Sequence, residues 1–227
     1  MRQTFPLIIL FLLGSCNLTE QDQITSDLNG KVKQIVETTD HAILDNGNYR
    51  PLAVDGIPNM KKIKSYNKKG GLEEMRLLFD DQLISKVEIR YNSKGQMSKQ
   101  QHFDPSGQLT KTVERTSDST TVTNDTRGFG TVETSEKYLS PQIQREVSLN
   151  SDQGLTTIAT FTRDNKKWIT QVHQITVHKG DTTANGTEYY KYTETDLNDN
   201  WIKCLISASS QFDTVQVKTR EIDYYKE

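Results

Sequence analysis

The chain is short of the residues that build reactive centres. It has two cysteines in 227 residues, Cys16 and Cys204, so a disulfide-stapled scaffold is excluded. Histidine is also scarce, with only His41, His102, His173 and His178. His173 and His178 are five apart, so on one strand they face opposite sides and cannot form a local zinc pair. There is no serine nucleophile elbow, phosphate loop or dinucleotide fingerprint. Neither sign of charge dominates: 28 basic and 30 acidic residues leave a net −2, without the basic cluster that nucleic acid needs. Only 33% of the chain is hydrophobic, and that includes an apolar N-terminus. The remainder is rich in Thr, Ser, Lys and Gln. That composition suits a thin sheet with wet faces better than a thick core. The sequence therefore speaks of architecture and address, and it names no biochemical task.

What is present is a repeat. From Tyr66 to Arg115 four units follow one another: Tyr66-Asn-Lys-Lys-Gly-Gly-Leu, Phe79-Asp-Asp-Gln-Leu, Tyr91-Asn-Ser-Lys-Gly-Gln-Met and Phe103-Asp-Pro-Ser-Gly-Gln-Leu. Their leading aromatics are 13, 12 and 12 residues apart. Asn and Asp favour turns because their side chains bond nearby backbone groups. Gly70, Gly95 and Gly107 supply the positive φ that tight turns need. Each period is one strand plus one turn, and strands joined by tight turns run antiparallel. A helix is excluded because the turns recur before a stable helical length is reached. The expected fold is all-β: an elongated, twisted antiparallel meander of ~12-residue strand-turn repeats. A sheet of this many strands should twist strongly or roll, because open sheets rarely exceed ~10 strands. The aliphatic residues at 75, 77, 87 and 89 alternate with charged ones, which gives one drier face. The alternation weakens at 97–103, where Lys99 and Gln101 read on the same face as Met97 and Phe103. Lys99, Gln101 and Lys111 would interrupt the apolar outer band of a membrane barrel.

At the N-terminus, Arg2 is followed by the apolar run Leu7 to Leu13, too short to cross a bilayer as a helix. Leu13-Gly-Ser-Cys16 then resembles the bacterial lipobox, which implies acylation of Cys16. The alternative is an ordinary secretory signal cut near Ser15 that leaves a free thiol. The expected organisation is a lipoprotein signal peptide over 1–15, a flexible tether over 16–26 and a single β-repeat domain over 27–227. Residues 45–60 have loop composition.

Other candidate groups have simpler readings. Cys204 lies between Ile202 and Ile206 on one strand face and reads as a buried, inert thiol. Glu73-Glu74 and Asp80-Asp81 point to opposite faces of a strand, so neither pair is an acid–base dyad. Asp196-Leu-Asn-Asp-Asn200 has oxygen ligands as a calcium loop does, without the loop's Gly and distant Glu, and reads as a turn. Aromatics concentrate in the last third. Trp168, Trp201, Tyr189, Tyr192 and Tyr224 form a possible binding surface for sugar rings or a protein, or else the core of a Leu-poor sheet.

With these features in view, the chain resembles YD-repeat or RHS-like β-repeat lipoproteins of the Bacteroidetes type. The residues that carry the resemblance are Gly30-Lys-Val-Lys33, the units at Tyr66, Tyr91 and Phe103, Asn200-Trp-Ile-Lys203 and Arg220-Glu-Ile-Asp-Tyr-Tyr225. The Phe79 unit lacks the Gly, and 116–148 departs from the pattern. The resemblance implies an antiparallel β-repeat on a lipoprotein of the cell envelope, at the outer membrane, and brings no catalytic residues or cofactor. The expected role is non-catalytic binding or scaffolding of an envelope protein or glycan. The alternative is an enzyme whose site assembles from distant loops.

Overall fold

The computed structural model describes residues 28–46, 48–51, 59–117, 120–125, 131–140, 144–151 and 154–226. The leader, Cys16 and the tether lie outside the described residues. The described elements are fifteen strands: β1 (Val32–Asp45), β2 (Asn48–Pro51), β3 (Met60–Tyr66), β4 (Leu72–Phe79), β5 (Gln82–Tyr91), β6 (Met97–Phe103), β7 (Leu109–Arg115), β8 (Thr120–Asp125), β9 (Thr131–Ser140), β10 (Gln144–Ser151), β11 (Leu155–Arg163), β12 (Ile169–His178), β13 (Asp181–Thr195), β14 (Trp201–Ser207) and β15 (Thr214–Tyr224). From β3 onward each strand pairs antiparallel with the next, so the all-β meander is present.

The rolling goes to closure. β1 pairs with β3 on one edge and with β15 on the other, eleven residue pairs running from Val32↔Tyr224 to Ile43↔Thr214. All strands but β2 thus form one ring, and β2 pairs only with the far half of β1. In a meander, turns alternate between the two ends. The first end holds the entry at Leu28, the turns 67–71, 92–96, 164–168 and 196–200, and the exit after Tyr224. The second end holds the turns at 80–81, 104–108 and 179–180 and the loop 208–213.

Five of the turns share one construction. The carboxamide or carboxylate oxygen of residue i accepts the backbone N–H groups of i+2 and i+4. Asn67 does this for Lys69 and Gly71, Asn92 for Lys94 and Gln96, and Asp104 for Ser106 and Gln108. Asp164 does it for Lys166 and Trp168, and Asp196 for Asn198 and Asn200. Position i+3 is left-handed in all five, occupied by Gly70, Gly95 and Gly107 but also by Lys167 (φ 65) and Asp199 (φ 60). The Gly-less Phe79 unit turns through Asp80 and Asp81, both at positive φ, a conformation Asp tolerates better than most residues.

The inward face carries most of the buried residues, among them Ile35, Val87, Ile89, Val113, Phe161 and Val172. One sequence-based face assignment needs correction. Gln100 and His102 point inward and Lys99 and Gln101 outward, but Met97 is buried with the inner core. The register shift next to Tyr91 causes this, because one extra residue in β6 reverses the face beyond it. Lys111, opposite His102, is likewise inward and does not interrupt the outer face. The outer face of β4 to β7 is instead a charge lattice. Arg76 and Lys86 lie against Glu74, Lys86 against Glu88, and Lys99 against Glu114. Lipid would penalise each such side chain at mid-strand.

The seam between β1 and β15 is clasped at the first end. Asn200, fully buried, accepts the Asn29 N–H at 2.7 Å and donates to the Asn29 carbonyl (2.8 Å) and to the Tyr224 hydroxyl (2.7 Å). That hydroxyl donates to Asp196. Tyr225 donates its hydroxyl to the Tyr66 carbonyl and its N–H to the Lys31 carbonyl.

Candidate binding site inside the barrel

Alternation along β1, β3, β14 and β15 brings a group of ionic side chains onto the inward face. Glu37 is opposite Arg220 on β15 and Lys62 on β3. Its Oε1 accepts from Arg220 Nε and a terminal guanidinium nitrogen, both at 2.7 Å, and its Oε2 lies 3.0 Å from Lys64 Nζ. Glu37 is 3% exposed and Lys64 0%. Lys218, opposite Cys204, adds a fourth cation. Burial pushes the Glu37 pKa up, but the fields of Lys64, Arg220, Lys218 and Lys62 outweigh it and hold the carboxyl well below its ordinary range. Glu37 is therefore a fixed anion, and no general base near neutral pH. Beyond the Glu37 pairs, Lys218 makes this part of the wall locally basic.

Below this group lies an aromatic floor. Tyr192 is between Trp168 and Trp201, with ring centroids 4.9 and 5.4 Å away, and the Arg220 guanidinium covers the Trp201 ring at 3.4 Å. Cys204 and Ile206 pack against them. Burial pushes the Cys204 thiol up to about 12, so the sulfur stays protonated and unreactive. Tyr190 and Tyr192 are raised, chiefly by burial, and stay neutral too.

The predicted aromatic surface divides. Trp168, Tyr192 and Trp201 come together, but inside the barrel, and both tryptophans are buried. Tyr189 faces outward, opposite Ser207 and Gln171. Tyr224 is in the seam clasp. No exposed aromatic strip results, because closure turns this face of β11 to β14 inward. His173 bonds the outward Thr187 at 3.0 Å, while His178, opposite Leu155, lies on the other face as its spacing requires. In the Asp196 loop both carboxylate oxygens already accept hydrogen bonds, from the turn N–H groups and from Tyr224. That is a turn's use of the carboxylate.

Access is graded along the barrel. At the first end the inward residues Tyr66, Leu72, Met97 and Trp168 are buried. Toward the second end the inward Gln216 and Leu155 are exposed. Sequence reasoning missed Glu37, Lys62, Lys64, Lys218 and Arg220. Their even spacing on single strands was the available signal, but it reads as a wet outer face until the ring is closed.

No protein-family model and no curated protein matches the chain. Among solved structures, it is similar to a porin-like protein from Bacteroides uniformis, with 12% identity over 86% of this chain and 99% of that one, and a TM-score of 0.46.

Proposed function

We propose that this is a lipid-anchored envelope protein of the YD-repeat type whose barrel binds or scaffolds a partner, protein or glycan, and catalyses no reaction. One observation carries the binding part. The inward face is buried at the end where the chain enters, its exposed residues Gln216 and Leu155 lie toward the other, and Lys218 stands between them beside the Glu37 ion cluster. The neutral Cys204 thiol and the fixed Glu37 anion supply neither nucleophile nor base, which favours binding over the enzyme reading. The partner group that suits this wall is anionic. The address rests on the leader and Leu13-Gly-Ser-Cys16, and the outer membrane is the proposed site.

The test is affinity capture of the lipidated protein from its own envelope, with bound proteins and glycans both identified. Lys218→Gln should release an anionic partner while leaving the fold intact by circular dichroism. Capture that is unchanged by Lys218→Gln sinks the basic-wall reading. For the anchor, mass spectrometry of the mature protein should find a diacylglyceryl group on Cys16. An unmodified Cys16 rejects it.

A further inference from the structure

Five of the exposed turn lysines collect at one end of the barrel. Turns at the first end carry Lys68, Lys69, Lys94, Lys166 and Lys167, all exposed. Turns and loops at the second end carry Asp80, Asp81, Asp104, Asp181 and Asp213, with Lys179 beside them. The turns at the first end form a continuous arc through the 196–200 turn, which carries no lysine. Tyr91 bonds the Leu72 carbonyl beside the 67–71 turn, and Tyr225 bonds the Tyr66 carbonyl on its other side. Asn29 joins the 196–200 turn through Asn200, and Lys166 joins it to the 164–168 turn through Asp199 at 2.9 Å. Asp164 and Asp196 turn their carboxylates onto backbone N–H groups, and Asp199 is engaged by Lys166. Five lysines against these three carboxylates leave the turns of the arc with a net charge of +2. At its rim Leu197 is fully exposed, at 106%.

We propose that this basic end lies against an anionic phospholipid bilayer, with Leu197 entering the headgroup layer. The inference rests on the anchored reading above for its biological setting, since the chain enters the barrel at this same end. Charge complementarity selects the occupant. A surface of anionic headgroups attracts a ring of lysines, and an exposed leucine among them adds apolar contact that a soluble polyanion could not use. The acidic end is then repelled, so the exposed mouth of the barrel points away from the membrane.

The test uses residues 17–227 made without the leader, because the hydrogen-bonded ring is complete within the described residues 28–226. This body should sediment with phosphatidylcholine vesicles containing phosphatidylglycerol, but not with phosphatidylcholine alone, and should be released by high salt. Lys68→Gln with Lys69→Gln should weaken binding by about 25-fold, roughly fivefold per lysine near an anionic surface. Leu197→Ser should weaken it further, and Asp80→Asn with Asp81→Asn should not weaken it. Equal binding to both vesicle types, no vesicle binding, or indifference to the lysine substitutions overturns the proposal. The body carries no lipid, so its vesicle binding is independent of whether Cys16 is acylated in cells. Each reading can therefore fail alone.

Discussion

At Glu37 two effects oppose each other: burial raises the carboxyl pKa, and four neighbouring cations lower it by more. The folded value therefore lies below the unfolded one, near 4.5. The ionised carboxylate contributes stability that is fully present above that unfolded value and is lost as pH falls through the folded value. Urea midpoints of the wild type should drop as the solution is acidified below about pH 4.5, and Glu37→Gln should flatten that dependence. At neutral pH the same substitution should destabilise by roughly 3 kcal/mol, since it removes the buried charge that Lys64 and Arg220 bond. An equal acid response in wild type and variant would show that Glu37 is not the group responsible. Asn200 makes a similar case without charge. Asn200→Ala leaves the Asn29 backbone groups and the Tyr224 hydroxyl short of partners and should cost about 2 kcal/mol by denaturant titration.

The hairpin loops were the most legible elements. An aromatic, then Asn or Asp, then Gly three positions later is visible in the sequence, and those positions are the ones the loop requires. Gly95 shows why. A Cβ there meets nothing within 4 Å, so Gly95→Ala should cost only the left-handed strain, about 1 kcal/mol. Lys167 fills the equivalent position at φ 65, and Lys167→Gly should raise stability by about 0.5 kcal/mol or more. A loss of stability on that change would mean that the Lys167 side chain holds the loop more strongly than strain opposes it. The faces were less legible than the turns. The register shift beside Tyr91 carries Met97 inward, and no local residue pattern announces such a shift. Least legible was the site. Glu37, Lys62 and Lys64 point into the barrel, against the apolar-inside rule, and their partners Lys218 and Arg220 are far away in sequence.

Closure is a property of the whole molecule, and it rests on one pairing. Thr38 and Thr219 face each other across the seam with hydroxyl oxygens 2.6 Å apart, though they stand 181 positions apart in sequence. Replacing both by Cys and oxidising the pair should link β1 to β15 and raise stability by up to about 4 kcal/mol, read as a higher melting temperature lost on reduction. No gain, with the disulfide proven by mass, would mean that the seam is already closed in the unfolded ensemble or strained by the bond. The seam also sets the order of events in time. A chain made N-terminus first delivers β1 early and β15 last of the fifteen described strands, so one edge of β1 waits, unsatisfied, until β15 has been made. A bare strand edge is a template for other chains. The interval before β15 arrives is therefore when this protein most needs a chaperone, and a truncation that removes only the last strand should yield aggregates.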